Sequence, residues 1–260
     1  MQSNAIRIRG LEGIPEILPG TNLVGAILAA LETAGIVTRG NHEPTEQLAP
    51  IILVVAQKVV SKSEGCLVCL DSVVPSPQAQ AWASEYHKDA RMVEVVLQQA
   101  RRVVKMDRGI MIMETHHGYV CANAGVDASN APSGTVVLLP RDPDDSAKRI
   151  RRELEQALRR HVAVIISDTF GRPWRMGLTN VSLGVSGLSP FIDYRGQVDS
   201  YGRTLQATVL AVADELAGAA ELVMGKTAGI PAAVIEGFRY TPAEGSGREL
   251  IRPAEEDLFR

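Results

Sequence analysis

Aromatic residues are scarce in this chain of 260 residues, in which 45% of the residues are hydrophobic but only 4% are aromatic. We therefore expect a core of alanine, valine, isoleucine and leucine on helices and strands. The three cysteines are an odd count, which suits reduced thiols better than a disulfide framework. The formal net charge of −3 gives no reason to expect a nucleic-acid or membrane surface.

Long apolar runs are also missing, since none approaches the roughly eighteen residues needed to cross a bilayer. The first ten residues contain two arginines and no apolar signal segment, so we expect a soluble, cytoplasmic protein. The length suits one large domain or two intimate lobes. Strands and helices are interspersed without clean alternation, which favours a mixed α+β fold.

Hydrophobic periodicity predicts nine principal elements. Four are helices: 22–33, capped by Thr21 and ended by Gly35, and then 89–105, 142–160 and 205–223. Continuous apolar runs predict buried strands over 51–60 and 162–166, and shorter strands are predicted over 118–121, 136–139 and 232–235.

The segment after the strand 162–166 carries the chemistry, because it joins a carboxylate, a hydroxyl and two guanidinium groups at Asp168, Thr169, Arg172 and Arg175. Upstream, Asp127 lies on a glycine-containing turn, where an aspartate is often only a local cap. Two such loops could meet around one divalent cation. Oxygen ligands without paired cysteines or histidines indicate Mg²⁺ or Mn²⁺ rather than zinc.

Several familiar motifs are excluded or weak. Gly225-Lys226-Thr227 resembles the end of a P-loop, but Ala220 replaces the required glycine and a helix precedes the motif instead of following it. No Gly-x-Gly-x-x-Gly follows a strand, which argues against a Rossmann fold. Cys66 and Cys69 would point to opposite faces of a strand.

His117 and two lysines have both structural and functional interpretations. His117 is more often a hydrogen-bonded structural residue, although it lies near the Asp127 turn and could contact substrate. Lys58 and Lys62, at the end of the predicted strand 51–60, are either a solvated rim or cations that bind phosphate oxygens.

These segments resemble the coenzyme F420:L-glutamate ligase (F420-0:gamma-glutamyl ligase) family over nearly the whole chain. The matching stretches are 13–16, 58–65, 117–127, 167–175, 199–203, 251–253 and 255–260. The resemblance implies a GTP-dependent ligase that attaches L-glutamate to the lactyl carboxylate of coenzyme F420-0 and then adds a further γ-linked glutamate, releasing GDP and phosphate. It also implies one ligase domain over 1–260 with a fold of its own type, an intertwined homodimer, and no C-terminal flavin reductase domain.

The resemblance implies a set of site residues as well. Asp127 and Asp168 match metal-binding carboxylates that are catalytic together with Lys62, and Thr169 matches a ligand of a second metal. We expect two Mg²⁺ or Mn²⁺ ions per site, with K⁺ as a further candidate cation. The GTP-binding positions are Ile14, Pro15, Glu16, Ile17, Gln57, Lys62, Asn130, Met224, Gly225, Lys226, Thr227, Ala228, Gly229, Ile230 and Pro231.

Two residues depart from the family pattern. Gln57 stands where relatives often have serine, and it still offers a hydrogen bond. After Met224-Gly225 we expect Glu or Gln at a second metal, but Lys226 cannot ligate a cation as an ammonium. Either that metal has fewer protein ligands here, or Lys226 replaces some of its charge at the phosphates.

The hypothesis from the sequence is that metal on Asp127, Asp168 and Thr169 bridges the β- and γ-phosphates while the γ-phosphoryl group moves to the substrate carboxylate. Arg172 and Arg175 are candidates for the substrate phosphodiester or the carboxylates of glutamate. The alternatives are a metal-dependent phosphohydrolase and a non-catalytic GTP-binding protein.

Overall fold

The computed structural model describes residues 5–37 and 49–257, and it has a mixed α+β architecture with several sheets. The strands are β1 (Arg7–Gly10), β2 (Ile51–Ala56), β3 (Leu67–Cys69), β4 (Ala100–Asp107), β5 (Ile110–Thr115), β6 (Val120–Ala122), β7 (Thr135–Val137), β8 (Val162–Arg172), β9 (Arg175–Ser186), β10 (Ile192–Asp193), β11 (Val209–Leu210) and β12 (Ala232–Glu236). The helices are α1 (Leu23–Thr33), α2 (Gln57–Ser63), α3 (Pro77–Tyr86), α4 (Ala90–Gln99), α5 (Pro143–Leu158) and α6 (Val212–Met224). None of the described helices is long and apolar enough to span a membrane.

The main sheet has five strands in the order β1-β12-β2-β8-β9, and only its β2–β8 pair is parallel. Alternate residues of β2 face opposite sides. Leu53 joins the apolar cluster under α1 and α5, and Val54 joins the cluster under α6. The sheet is thus covered on both faces, which explains why β2 and β8 read as continuous apolar runs.

A smaller apolar cluster lies under α3 and α4 and includes residues of β5. Strands β4, β5 and β6 form a three-stranded antiparallel sheet, and β3 pairs with β7. Tyr119 and Leu139 pack with Leu183 of β9, so the region around the small sheet contacts the main sheet through apolar side chains. The division into two lobes and the family-specific fold stay predictions.

Helix α5 packs very closely on β9. A Cβ atom added at Gly184 would lie 2.1 Å from the carbonyl oxygen of Pro143, so only glycine fits this contact. Asp144, in the first turn of α5, accepts hydrogen bonds from the backbone N–H groups of Val185 and Gly247. The first turn of α5 therefore joins β9 to the C-terminal segment.

Two predicted boundaries were wrong in ways that affect the site. The strand predicted over 51–60 ends at Ala56, and 57–63 form α2, because a short apolar run cannot distinguish a strand from a buried helix. The strand that begins at Val162 does not end before Asp168 but continues to Arg172, since β9 pairs with it throughout. Asp168 is therefore a strand residue and not a loop residue.

The other differences are local. The helix predicted over 89–105 is α4, which ends at Gln99 and is followed by β4, because pairing with β5 overrides the helical stripe. The helix predicted over 205–223 begins at Val212. Asn22, not Thr21, caps α1 by accepting from Gly25 N–H, and Thr21 instead accepts from Leu18 N–H.

Several predictions were confirmed. The predicted helix 142–160 is α5, with Asp142 as its N-cap, and the predicted strand 232–235 is β12. Helix α6 runs into Gly225, so a helix precedes Gly225-Lys226-Thr227 and the P-loop is excluded. All three cysteines are free, with Cys66 buried and Cys69 exposed. Residues 258–260 of the last matching stretch lie outside the described residues.

Candidate active site

The site begins where the parallel strands β2 and β8 end their pairing. Ala56 pairs with Ser167, the last matched positions of the two strands. After Ala56 the chain leaves β2, and Gln57 begins α2. After Ser167 the chain stays in β8, so Asp168 pairs with β9. Because β2 ends here while β8 continues, Asp168 lies just beyond the carboxyl end of the parallel pair, where ligand sites are common in such sheets.

Asp127 lies in this region and is bound by a lysine of α2. Its Oδ2 atom is 2.7 Å from Lys58 Nζ, and its Oδ1 atom accepts from the N–H of Ser129 at 2.6 Å. Lys58 Nζ also donates to Ser129 Oγ at 2.6 Å. Burial acts to raise the pKa of Asp127, but the Lys58 and Ser129 hydrogen bonds outweigh it, so the pKa lies below its usual value.

The pKa of Asp168 is shifted in the opposite direction from that of Asp127. Asp168 has no ion pair with any described residue, and burial raises its pKa to about 6. A hydrogen bond to the backbone of Thr169 and the positive charges of Lys58 and Lys226 act to lower the pKa of Asp168. The negative charge of Asp127 acts to raise it. The charge of each of these two carboxylates is therefore felt at the other, while their joint role in binding a cation stays a prediction.

Thr169, next to Asp168 on β8, is bound to Lys226. The Lys226 ammonium donates to Thr169 Oγ1 at 2.6 Å and pairs with Glu221 Oε1 at 2.7 Å. Thr169 Oγ1 donates in turn to Asn180 Oδ1 at 2.7 Å, and Asn180 Nδ2 donates to Glu221 Oε2 at 2.9 Å. The turn after α6 is thereby joined to the β8–β9 pair.

The predicted GTP-binding residues near the N-terminus lie beside α2. Lys62 is only 7% exposed, and its Nζ is 2.6 Å from Glu16 Oε1. Ile14 and Ile17, on either side of that acid, are buried in the core under α1. Gln57 is buried, and its Oε1 accepts from Ser61 Oγ at 3.3 Å. Its Nε2 is also buried and has no hydrogen-bond partner in the part of the chain that the structure describes.

The predicted substrate residues make no hydrogen bond or ion pair with Asp127 or Asp168 within the described residues. Arg172 and Arg175 are exposed at the end of the β8–β9 hairpin, where Arg172 donates to the carbonyl of Met176 at 3.1 Å. His117 Nε2 instead lies 2.9 Å from the Pro140 carbonyl oxygen and 3.1 Å from that of Arg141. These bonds favour the structural interpretation of His117.

Sequence reasoning missed three residues of this region, because Ser129, Asn180 and Glu221 were not singled out. Lys58 was named, but its role was left open between a solvated rim and phosphate binding. The i, i+4 spacing of Lys58 and Lys62 was a signal for a helix. Asn180 lies opposite Thr169 because of the register in which β8 pairs with β9, and this register cannot be read from the sequence.

The donor atoms fit a hard divalent cation. Asp127, Asp168 and Thr169 offer only oxygen atoms, which Mg²⁺ and Mn²⁺ prefer. No group of three or more His, Cys, Asp or Glu side chains is close enough to form a metal site within the described residues. Protein ligands would therefore be few, and this is the usual situation where Mg²⁺ keeps waters and binds substrate phosphates.

The fold and the site together define a mixed α+β protein with carboxylates and lysines gathered at the end of a parallel strand pair. A family model described as F420-0:Gamma-glutamyl ligase matches residues 13–237. The chain is 43% identical to the coenzyme F420:L-glutamate ligase of Methanothermobacter thermautotrophicus over 98% of this chain and 99% of the relative. The chain belongs to the F420-0:gamma-glutamyl ligase family.

Two further relatives carry the same name. The protein of Methanocaldococcus jannaschii is 45% identical over 80% of this chain and 84% of its own length. That of Methanopyrus kandleri is 46% identical over 80% of this chain and 85% of its own length.

Proposed function

We propose that this protein ligates L-glutamate to coenzyme F420-0, and then a further γ-linked glutamate, at the expense of GTP. The observation that carries the proposal is the match to a relative named coenzyme F420:L-glutamate ligase over almost the full length of both chains. The gathering of Asp127, Asp168, Lys58 and Lys226 supports it, because phosphoryl transfer needs cations fixed around a triphosphate.

Asp127 and Asp168 are the residues that would hold Mg²⁺ or Mn²⁺, and Thr169 is the neighbouring oxygen donor that the family resemblance assigns to a second ion. The cation would supply positive charge against the β- and γ-phosphates. Lys62, poised on α2, would bind phosphate oxygens after leaving the exposed carboxylate of Glu16. Residues 14–17, Gln57, Asn130 and 224–231 are the proposed surroundings of the nucleotide, and K⁺ is a candidate additional cation.

The reaction is a phosphoryl transfer followed by an acyl transfer. An oxygen of the F420-0 carboxylate attacks the γ-phosphorus, and the bond to the β-phosphate oxygen breaks to give GDP and an acyl phosphate. The deprotonated amine of glutamate then attacks the acyl carbon. The carbon–oxygen bond to phosphate breaks, phosphate leaves with the electron pair, and an amide remains. Arg172 and Arg175 are proposed to bind anionic groups of the substrates.

A homodimer is part of the proposal. Trp174, Met176 and Leu178 at the end of the β8–β9 hairpin are 79%, 97% and 69% exposed in the single chain. Apolar side chains gathered in this way are typical of an interface. The cytoplasm is the proposed location.

Phosphate release distinguishes this function from its alternatives. The protein is incubated with GTP and Mn²⁺, with and without F420-0 and with and without glutamate. We expect sustained phosphate release only when all components are present. Release without glutamate would indicate a phosphohydrolase, and GTP binding without release under any condition would indicate a non-catalytic GTP-binding protein.

A further inference from the structure

A closed ring of four side chains fixes an ammonium group next to the candidate metal site. Lys226 Nζ donates to Thr169 and Glu221, Thr169 donates to Asn180, and Asn180 donates back to Glu221. Asn180 is 4% exposed and is also held by Ser167 Oγ at 3.4 Å. The ring is therefore anchored in the sheet, although Lys226 itself reaches in from the exposed turn after α6.

The ring leaves little opportunity for a divalent cation at Thr169. The hydroxyl proton of Thr169 is used by Asn180, and the ammonium occupies one of its acceptor directions. Both oxygens of Glu221 are engaged as well, one by Lys226 and one by Asn180. A metal ion that bound these oxygens would have to lie beside, or displace, a positive charge that already pairs with them.

The ammonium is also well placed to act as a cation in the site. Its charge is felt at Asp168, the neighbour of Thr169 on β8. Lysine has three N–H donors. Two of them are used within the ring, and no other hydrogen bond or ion pair of Lys226 Nζ occurs among residues 5–37 and 49–257, so the third can meet a phosphate oxygen of a bound nucleotide.

We propose that the Lys226 ammonium is a tethered cation that takes the place of a divalent ion at Thr169, so that each site binds one divalent ion, at Asp127 and Asp168. The inference rests on the proposed nucleotide-dependent function and replaces the expectation of two metals per site. It also selects between the two interpretations of Lys226 left open by the sequence, because the lysine supplies the charge itself.

The number of manganese ions bound per subunit tests this inference. The full-length protein is saturated with a non-hydrolysable GTP analogue, and bound Mn²⁺ per subunit is measured by electron paramagnetic resonance of the free ion. We expect one Mn²⁺ per subunit in the wild type and two in Lys226→Glu, in which a carboxylate joins Thr169 and Glu221. Lys88→Glu, an exposed lysine elsewhere, is the matched control and should keep one ion.

A second variant covers the case in which Lys226→Glu does not fold. Lys226→Met removes the charge while keeping the length of the side chain, and it should still bind one Mn²⁺ but bind the analogue at least about tenfold more weakly. Unchanged affinity in this variant would overturn the role of the ammonium.

The manganese counts separate this inference from the proposed function. Two ions in the wild type, or one ion in both the wild type and Lys226→Glu, would overturn the inference and leave the ligase proposal intact. One ion in the wild type and two in the variant would support it even if no glutamate were transferred. No bound manganese in either protein would contradict both.

Discussion

At the scale of single residues, the two candidate metal carboxylates differ in what neutralises them. Asp127 is held by Lys58, whereas Asp168 has no ion pair with any described residue and has a pKa of about 6. An uncompensated, partly buried carboxylate is costly for the fold, and strain of this kind is concentrated at functional sites. Asp168 therefore has the stronger need for a cation.

The first prediction concerns the stability of the metal-free protein. A raised folded-state pKa means that the stabilising proton on Asp168 is fully bound below about pH 4 and is lost as the pH rises to about 6. Wild type should therefore lose up to roughly 3 kcal/mol relative to Asp168→Asn between these pH values, because one pKa unit corresponds to about 1.4 kcal/mol.

Urea unfolding of both proteins at a series of pH values, with chelator present, measures this difference. The Asn variant is the matched control, since it keeps the shape of the side chain and every other titrating group. A difference that stays flat, or that favours wild type as the pH rises, would contradict the assignment of an uncompensated carboxylate at this position.

The second prediction concerns Lys58. Its ammonium occupies Asp127 at 2.7 Å, so a divalent ion at Asp127 has to displace it. Lys58→Met should increase the affinity for Mn²⁺ in the absence of nucleotide, and it should weaken binding of the triphosphate by about tenfold or more because a cation is lost. Isothermal titration with each ligand checks both directions, with Lys88→Met as control. Weaker Mn²⁺ binding would show that Lys58 does not compete with the ion.

At the scale of elements, α5 connects β9 with the C-terminal segment through one side chain. Asp144 accepts from Val185 N–H at 2.9 Å and Gly247 N–H at 2.7 Å, and from Ser246 Oγ at 2.5 Å. Its neighbour Asp145 is exposed in the same helical turn. The two acids therefore share the favourable helix-dipole position and differ in their tertiary bonds.

The third prediction uses this pair. Asp144→Ala should lower the free energy of unfolding by about 3 kcal/mol, because hydrogen bonds to a charged acceptor are lost and two backbone donors lose their partner. Asp145→Ala should cost well under about 1 kcal/mol. Equilibrium denaturation of the two variants measures this, and equal losses would show that Asp144 does not join the segments.

Sequence patterns predicted elements well where the physical signal was local. The capping aspartate and amphipathic stripe of α5 and the apolar run of β12 are such signals, and both elements are present. The turn from β2 into α2 was missed because Val59 and Val60 suit either conformation. The β8–β9 hairpin was missed because its length depends on pairing between residues 164 and 186, which only the folded chain displays.

Only part of the candidate site could be predicted from the sequence. Asp127 and Asp168 follow recognisable segments, and the structure places them within each other's electrostatic range. Asn180 and Glu221 lie far along the chain from Asp127 and reach the site only through the hairpin and through α6. Partners of this kind depend on tertiary register, so single-sequence reasoning had no means to name them.

At the scale of the whole molecule, the exposed hairpin end makes a prediction about assembly. We expect light scattering after size exclusion to give about twice the 28.0 kDa mass of the chain. Substituting both Met176 and Leu178 by lysine should shift the protein toward monomer, because apolar contact area is replaced by charge. Val74→Lys is the matched control, since Val74 is 86% exposed elsewhere. A monomeric wild type would contradict the proposed homodimer.

The central claim is that Asp168 belongs to a GTP-dependent glutamate ligase site. Mass spectrometry of F420-0 incubated with protein, GTP, Mn²⁺ and glutamate tests it most directly, with Asp168→Asn in parallel. We predict stepwise addition of glutamyl residues by wild type. For the variant we expect an intact fold and a loss of about a hundredfold or more in rate, because one proposed metal carboxylate is removed. Unmodified F420-0 in the wild-type reaction, or near-normal turnover by Asp168→Asn at saturating Mn²⁺, would contradict the account.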